Sequence, residues 1–350
     1  MSKSLNIALL GNPNTGKTSL FNSLTGLSQK VGNYPGITVE KKEGICMLNR
    51  TTKGHIIDLP GTYSLNASSI DESVVIEILL NKTGKDFPDV SVVVTDVENL
   101  KRNLLLFTQV KDLGIPTLLV INMADQMKRK GISLNIPFLE EALDTKIALV
   151  STRQDKGLEV LKDAILNFRQ LSTAQSISLN SIDKEYFKNL EKTFPNQSIY
   201  KLWVIITQDI NFVKIDRKRI SDATDFKTLA PSYLKRLQQK ETVKRFQFIN
   251  KVLKQGLNID CEAAFDFRSR FDRVLLHKFW GYVIFFVILT TIFQSIFDWS
   301  SIPMDFIDST FASLSEILKT KLPQGIFTCL LYTSDAADEG LGVDLGGRRI

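Results

Sequence analysis

The stretch from Leu5 to Phe21 reads Leu-Asn-Ile-Ala-Leu-Leu-Gly-Asn-Pro-Asn-Thr-Gly-Lys-Thr-Ser-Leu-Phe and decides the fold. An apolar run, Leu5 to Leu10, enters a loop in which Gly11, Gly16, Lys17 and Thr18 fit the pattern G-x-x-x-x-G-K-[ST]. That order predicts a strand, a phosphate loop and a helix. Backbone N–H groups along Gly11, Asn12, Pro13, Asn14, Thr15, Gly16, Lys17, Thr18 and Ser19 (proline excepted) would cradle a phosphate, and the helix dipole would assist. Lys17 would reach the β- and γ-phosphates, and the Thr18 hydroxyl would bind Mg²⁺. The alternative, an ordinary glycine turn, does not account for the strand before it and the helix after it.

The remaining parts of a nucleotide site follow in order. Gly36, Ile37 and Thr38 lie in a polar loop punctuated by Gly32 and Pro35, where a threonine can reach Mg²⁺ and sense a γ-phosphate. Asp58, Leu59, Pro60 and Gly61 close a second apolar strand; Asp58 would hold the metal's water shell and the Gly61 N–H would touch the γ-phosphate. Lys17, Thr38 and Gly61 form the expected catalytic set, and Thr18, Thr38 and Asp58 the expected Mg²⁺ set. Asn122, Met123 and Asp125 end another strand. A carboxylate at Asp125 accepts from N1–H and the exocyclic amine of guanine, which adenine does not offer in that arrangement. Ser151, Thr152 and Arg153 close a further strand and would supply a backbone donor to guanine O6. Each piece has a plainer reading alone: Thr38 as a loop polar residue, Asp58 as a turn former, Asp125 as a helix cap. Together, in this order and at strand ends, they specify a site for GTP or GDP with Mg²⁺.

Strands and helices alternate through this region, which predicts an α/β doubly wound, mostly parallel sheet. The expected strands are 5–10, 44–48, 54–59, 90–96, 116–121 and 147–150; the expected helices are 17–24, 71–80, 100–113, 137–143 and 158–168. A G domain is thus expected over 1–169, and a Ser/Thr/Gln-rich linker over 170–181. A small helical domain follows over 182–265. Ile182, Tyr186, Phe187, Leu190 and Phe194 mark one apolar face there, and Leu234, Leu237, Phe246, Ile249 and Leu253 another. The lysines and glutamates between them are read as solvated faces.

At 350 residues the chain has room for two or three domains, and its 23% charged and 43% hydrophobic content is that of a globular protein. The net charge of +6 suits nucleic acid or an anionic membrane. No dense Lys/Arg run with interleaved aromatics occurs, so a nucleic-acid partner is not expected. Cys46, Cys261 and Cys329 are too few and too far apart for a disulfide framework, and only His55 and His277 could join them as metal ligands. Met1 to Ser4 leads straight into the first strand, which places this part in the cytosol.

A basic juxtamembrane segment, 266–278, holds Arg268, Arg270, Arg273 and Lys278. The nineteen uncharged residues of 279–297 then match a bilayer core of ~30 Å as a transmembrane helix. Trp280, Tyr282 and Trp299 lie near its ends, and Asp298, Asp305 and Asp308 follow it. Positive charge before the span keeps the G domain cytoplasmic. The alternative is a buried helix of a soluble protein, since Thr, Gln and Ser dilute the run. An amphipathic helix is expected over 302–318, with Met304, Ile307, Phe311, Leu314 and Leu318 on one side, lying along the membrane surface. The stretch 333–350 lacks apolar periodicity. It reads as disordered or as a foreign end of a misassembled coding sequence; a natural flexible tail is the other reading.

The runs Gly11 to Asn22, Gly32 to Lys42 and Asp58 to Leu65 resemble the prokaryotic ferrous iron transport protein B family, as does Arg273 to His277. The resemblance implies a cytosolic GTPase domain and a helical module like a guanine-nucleotide-dissociation inhibitor. It also implies an inner-membrane domain that carries Fe²⁺ inward, and small cytosolic iron-transport accessory proteins as partners. Membrane lipid is a further partner, and a homo-oligomer is compatible. The family also implies K⁺ held by Asn14 beside the phosphates; the alternative is that Asn14 only shapes the loop. Thr62 stands where Ras-type GTPases carry glutamine, Tyr63 follows it, and neither offers an equivalent amide, so slow, K⁺-stimulated turnover is expected. Two features depart from the family: Lys278 follows His277 where a proline is usual, and one membrane helix is expected where the family has many, as in a truncated chain. The reading is a membrane-tethered GTPase that drives or gates ferrous iron uptake. The alternative is a soluble or peripheral regulatory GTPase, such as an RNA-binding ribosome-assembly factor; a nucleotide switch without transport is a third.

Overall fold

The computed structural model describes residues 3–26, 29–34, 39–66, 69–195, 197–207, 230–260, 275–296 and 301–321. Gly36, Ile37 and Thr38 lie outside them, as do Cys261, Arg268, Arg270, Arg273, Asp298, Trp299, Cys329 and the stretch 333–350. The chain divides into two compact units, 1–266 and 267–350.

Nine strands are described: β1 (Lys3–Gly11), β2 (Gln29–Asn33), β3 (Glu40–Met47), β4 (Thr52–Asp58), β5 (Val90–Asp96), β6 (Thr117–Asn122), β7 (Ile132–Leu134), β8 (Ile147–Leu149) and β9 (Leu257–Ile259). Seven form one sheet in the order β2-β3-β4-β1-β5-β6-β8. The pairs from β4 to β8 are parallel, and β3 runs antiparallel to both β2 and β4. Every residue of β5 and of β6 is buried, as strands covered on both faces require.

Strand alternation sorts the core into two layers. On one face Leu5, Ile7 and Leu9 pack with Leu20, Phe21 and Leu24 of α1 (Lys17–Thr25) and with Leu161 and Ile165 of α6 (Leu158–Leu166). On the other, Ala8, Leu10 and Ile57 pack with α2 (Ile70–Leu80), α3 (Leu100–Asp112) and α5 (Ile136–Leu143). Local signals start these helices. Ser69 caps α2 by accepting the Glu72 N–H, and the Asn135 side chain caps α5 by accepting that of Phe138. A short α4 (Met127–Lys130) follows β6.

The helices α7 (Lys184–Thr193), α8 (Ile199–Thr207) and α9 (Pro231–Gly256) extend the second layer: Phe187, Leu190, Trp203 and Ile249 join the cluster that contains α2 and α3. Here the expected solvated face of α9 is corrected. Leu237, Glu241, Arg245 and Ile249 recur every four residues on the buried side, so two charged residues lie in the core. Arg245 Nη1 pairs with Asp112 at 2.8 Å, its Nε donates to Glu241 at 2.8 Å, and Trp203 Nε1 donates to the other Glu241 oxygen at 2.6 Å. Burial pushes the Asp112 carboxyl above its usual range, against the pull of Arg245 and the Ser176 N–H. That N–H donates to Asp112 at 2.5 Å, and Leu179 is buried, so the 170–181 stretch is fastened to α3.

In the second unit, α10 (Trp280–Gln294) and α11 (Ser301–Lys321) are described. Among the described residues no helix is long and apolar enough to cross a membrane. The 15 residues of α10 rise about 22 Å, short of a ~30 Å core. Its apolar side chains, Phe285, Phe286, Val287 and Phe293 among them, are exposed.

Candidate nucleotide site

The phosphate loop joins β1 to α1, and its shape follows from residues that resist side chains or extended backbone. A Cβ on Gly11 would lie 2.6 Å from the Val94 carbonyl of β5, and one on Gly16 would lie 2.3 Å from the Asn122 amide. Asn14 (φ 66°) and Gly16 (φ 79°) are left-handed, the alternation that turns successive N–H groups into an anion-binding concavity. Asn12 and Thr15 are buried, whereas Pro13, Asn14, Thr18 and Ser19 are exposed at the mouth.

Each neighbouring strand delivers its residues at its C-terminal end, where ligands bind in such sheets. Asp58, ending β4, forms an ion pair with the Lys17 ammonium. Beyond it, the Thr62 N–H donates to Gly11 O at 3.2 Å, so Gly61 lies against Pro13. Thr62 Oγ1 donates to Ser64 O at 2.8 Å, and the Arg102 guanidinium covers the Tyr63 ring at 4.1 Å.

Asn122, ending β6, is a tie rather than an exposed ligand. Its Nδ2 donates to Thr15 O at 3.0 Å and its Oδ1 accepts the Thr152 N–H at 3.4 Å. Met123 is left-handed (φ 60°), which turns the chain so that the Ala124 N–H meets Val150 O. Asp125 accepts the Ser151 hydroxyl at 2.6 Å. The backbone donor expected from Ser151 to Arg153 is narrowed: the Ser151 N–H donates to Lys156 O, that of Thr152 serves Asn122, and Arg153 is exposed. The structure therefore brings together Gly11 to Ser19, Asp58 to Gly61, Asn122, Asp125 and Ser151. Arg102 and the Asn122–Thr15 tie carry no local motif and were not expected.

The donor set fits a hard divalent cation and a phosphate chain: an exposed Thr18 hydroxyl, next in the chain to the Lys17 that pairs with the Asp58 carboxylate, and a cradle in which side chains do not fit at Gly11 and Gly16.

Residues 5–165 match the model of the family described as Ferrous iron transport protein B. A Leptospira biflexa protein named Fe(2+) transporter FeoB is 33% identical over 94% of this chain and 49% of its own length. An Fe(2+) transport protein A/Fe(2+) transporter FeoB fusion protein of Porphyromonas gingivalis is 30% identical over 97% of this chain and 42% of its own. The chain thus spans about half the length of the curated relatives it matches. Among solved structures, the cytosolic domain of the T. maritima FeoB iron transporter in a GDP form matches 73% of this chain and all of its own, with 28% identity and a TM-score of 0.64. The same motifs, the same sheet and these relatives agree: the chain belongs to the ferrous iron transport protein B family and carries its G domain.

Proposed function

We propose that this chain binds and hydrolyses GTP and that the whole protein uses the cycle to drive or gate ferrous iron uptake at a prokaryotic inner membrane. The observations that support it are the Lys17–Asp58 pair and the Asn122–Thr15 bond on the loop after β1, with Asp125, three residues beyond Asn122, accepting the Ser151 hydroxyl. Asp125, steadied by the Ser151 hydroxyl, accepts from the guanine edge. The loop N–H groups and α1 hold the phosphates, and the Lys17 ammonium exchanges Asp58 for phosphate oxygens. Thr18, Thr38 and Asp58 are the residues that would hold Mg²⁺, and Asn14 the one that would hold K⁺; bound there, these cations would neutralise charge on the phosphates. Gly61 offers its N–H to the γ-phosphate, and Thr38 is the sensor. No glutamine follows Gly61, and the Thr62 hydroxyl is committed to Ser64 O, so neither orients an attacking water and turnover is slow.

The uncharged run 279–297 is assigned as the membrane tether, supported by the apolar exposure of α10. The fusion relative supports a small iron-transport accessory protein as partner. Nucleotide competition tests the core of this reading. The unaltered chain should prefer GTP to ATP. Asp125→Asn should weaken GTP by about 100-fold and favour xanthosine nucleotides, because an unmatched buried polar contact discriminates strongly. Equal affinity of the unaltered chain for GTP and ATP would refute it. Iron uptake by the whole protein in transport-deficient cells tests the rest.

A further inference from the structure

Asn12 is 2% exposed, yet neither Nδ2 nor Oδ1 of its side chain has a hydrogen-bond partner. A buried amide unpaired at both ends is unfavourable, and native folds keep few such groups. Its place in the chain is informative. Gly11 before it accepts the Thr62 N–H, and Pro13 after it lies nearest to Gly61, so both neighbours of Asn12 touch the segment that follows Asp58. Other polar groups nearby are committed. Thr15 Oγ1 donates to the Asn12 carbonyl at 2.9 Å, Thr62 Oγ1 to Ser64 O, and Asn122 Nδ2 to Thr15 O.

We infer that Asn12 is a positioning residue for GTP turnover: its side-chain amide takes its partner from the 60–62 backbone when Gly61 turns toward a γ-phosphate. That turn draws the Thr62 N–H away from Gly11 O, and the amide one residue further along receives it. The segment then moves between two arrangements, and only the second pairs Asn12. The amide therefore favours the triphosphate arrangement without touching the nucleotide. This inference rests on the GTPase reading above.

The test uses the full chain, unaltered and as Asn12→Leu and Asn12→Ala, with GDP and a non-hydrolysable GTP analogue as probes. Asn12→Leu keeps the volume and removes the unpaired amide. Its melting temperature should be unchanged or higher, and its analogue affinity should fall about tenfold more than its GDP affinity, the scale of one lost buried pairing. The kcat should fall with it, and Asn12→Ala should show the same selective loss. An equal loss for both nucleotides, no change for either, a lower melting temperature in both variants, or failure of both to fold would overturn the inference. The last two would show that the amide is already paired in the resting fold. GTP binding by the unaltered chain, measured first, distinguishes failure of the GTPase reading itself.

Discussion

Asn14 holds a left-handed conformation, φ 66°, which asparagine adopts more readily than most side chains and glycine adopts freely. The two roles considered for it, loop shape and K⁺ ligation, can therefore be separated at one position. Asn14→Gly preserves the backbone and deletes the amide. GTP hydrolysis should be faster in KCl than in NaCl at equal ionic strength, and Asn14→Gly should erase the difference while GDP binding persists. Identical rates for the unaltered chain in both salts would leave Asn14 as loop structure. At this scale position was legible where a residue belongs to a motif: Gly11 ends β1, Lys17 and Thr18 open α1, Asp58 ends β4 and Asp125 lies in the turn after β6. What the sequence did not disclose were contacts between distant motifs. Nothing in the run from Asn122 to Asp125 says that Asn122 will bind Thr15 O, because that meeting depends on strand order.

Elements were read well where periodicity is strong and poorly where it is short or polar. The all-buried β5 runs Val90–Asp96, as expected from its apolar residues. By contrast β2, Gln-Lys-Val-Gly-Asn, has no alternation and owes its strand state to pairing with β3, while β7 and β9 are three residues each. On α9 the error had a different source: a glutamate was taken to mean solvent, but Glu241 is buried against Arg245, which is 0% exposed among Asp112, Glu241 and Tyr200. Burying an ion pair gives little net stability, yet breaking one leaves uncompensated charge. Arg245→Met should therefore cost about 3–5 kcal/mol in denaturant unfolding. Adding Asp112→Leu and Glu241→Gln should recover a substantial part, since the stranded carboxylates are then gone. Equal losses for the single and triple variants would mean that packing, not charge, governs this seam.

For the whole molecule, the decisive contrast lies between a unit with two well-filled core layers and a segment with its apolar side chains turned outward. A fragment ending at residue 265 should stay in solution and bind nucleotide, whereas 1–350 should need detergent. Recovery of 1–350 as a detergent-free monomer would count against a membrane tether. The small ladder between β7 and β9 has a further consequence. The Asp260 N–H, just past β9, donates to Gly131 O at 2.8 Å, and only α4 separates Gly131 from the turn that holds Asp125. A pull on the chain beyond Asp260 thus loads a strand pair only three residues long, separate from the seven-stranded sheet. Mechanical tension from that side would be delivered first to the turn that holds Asp125, the residue proposed to accept from guanine.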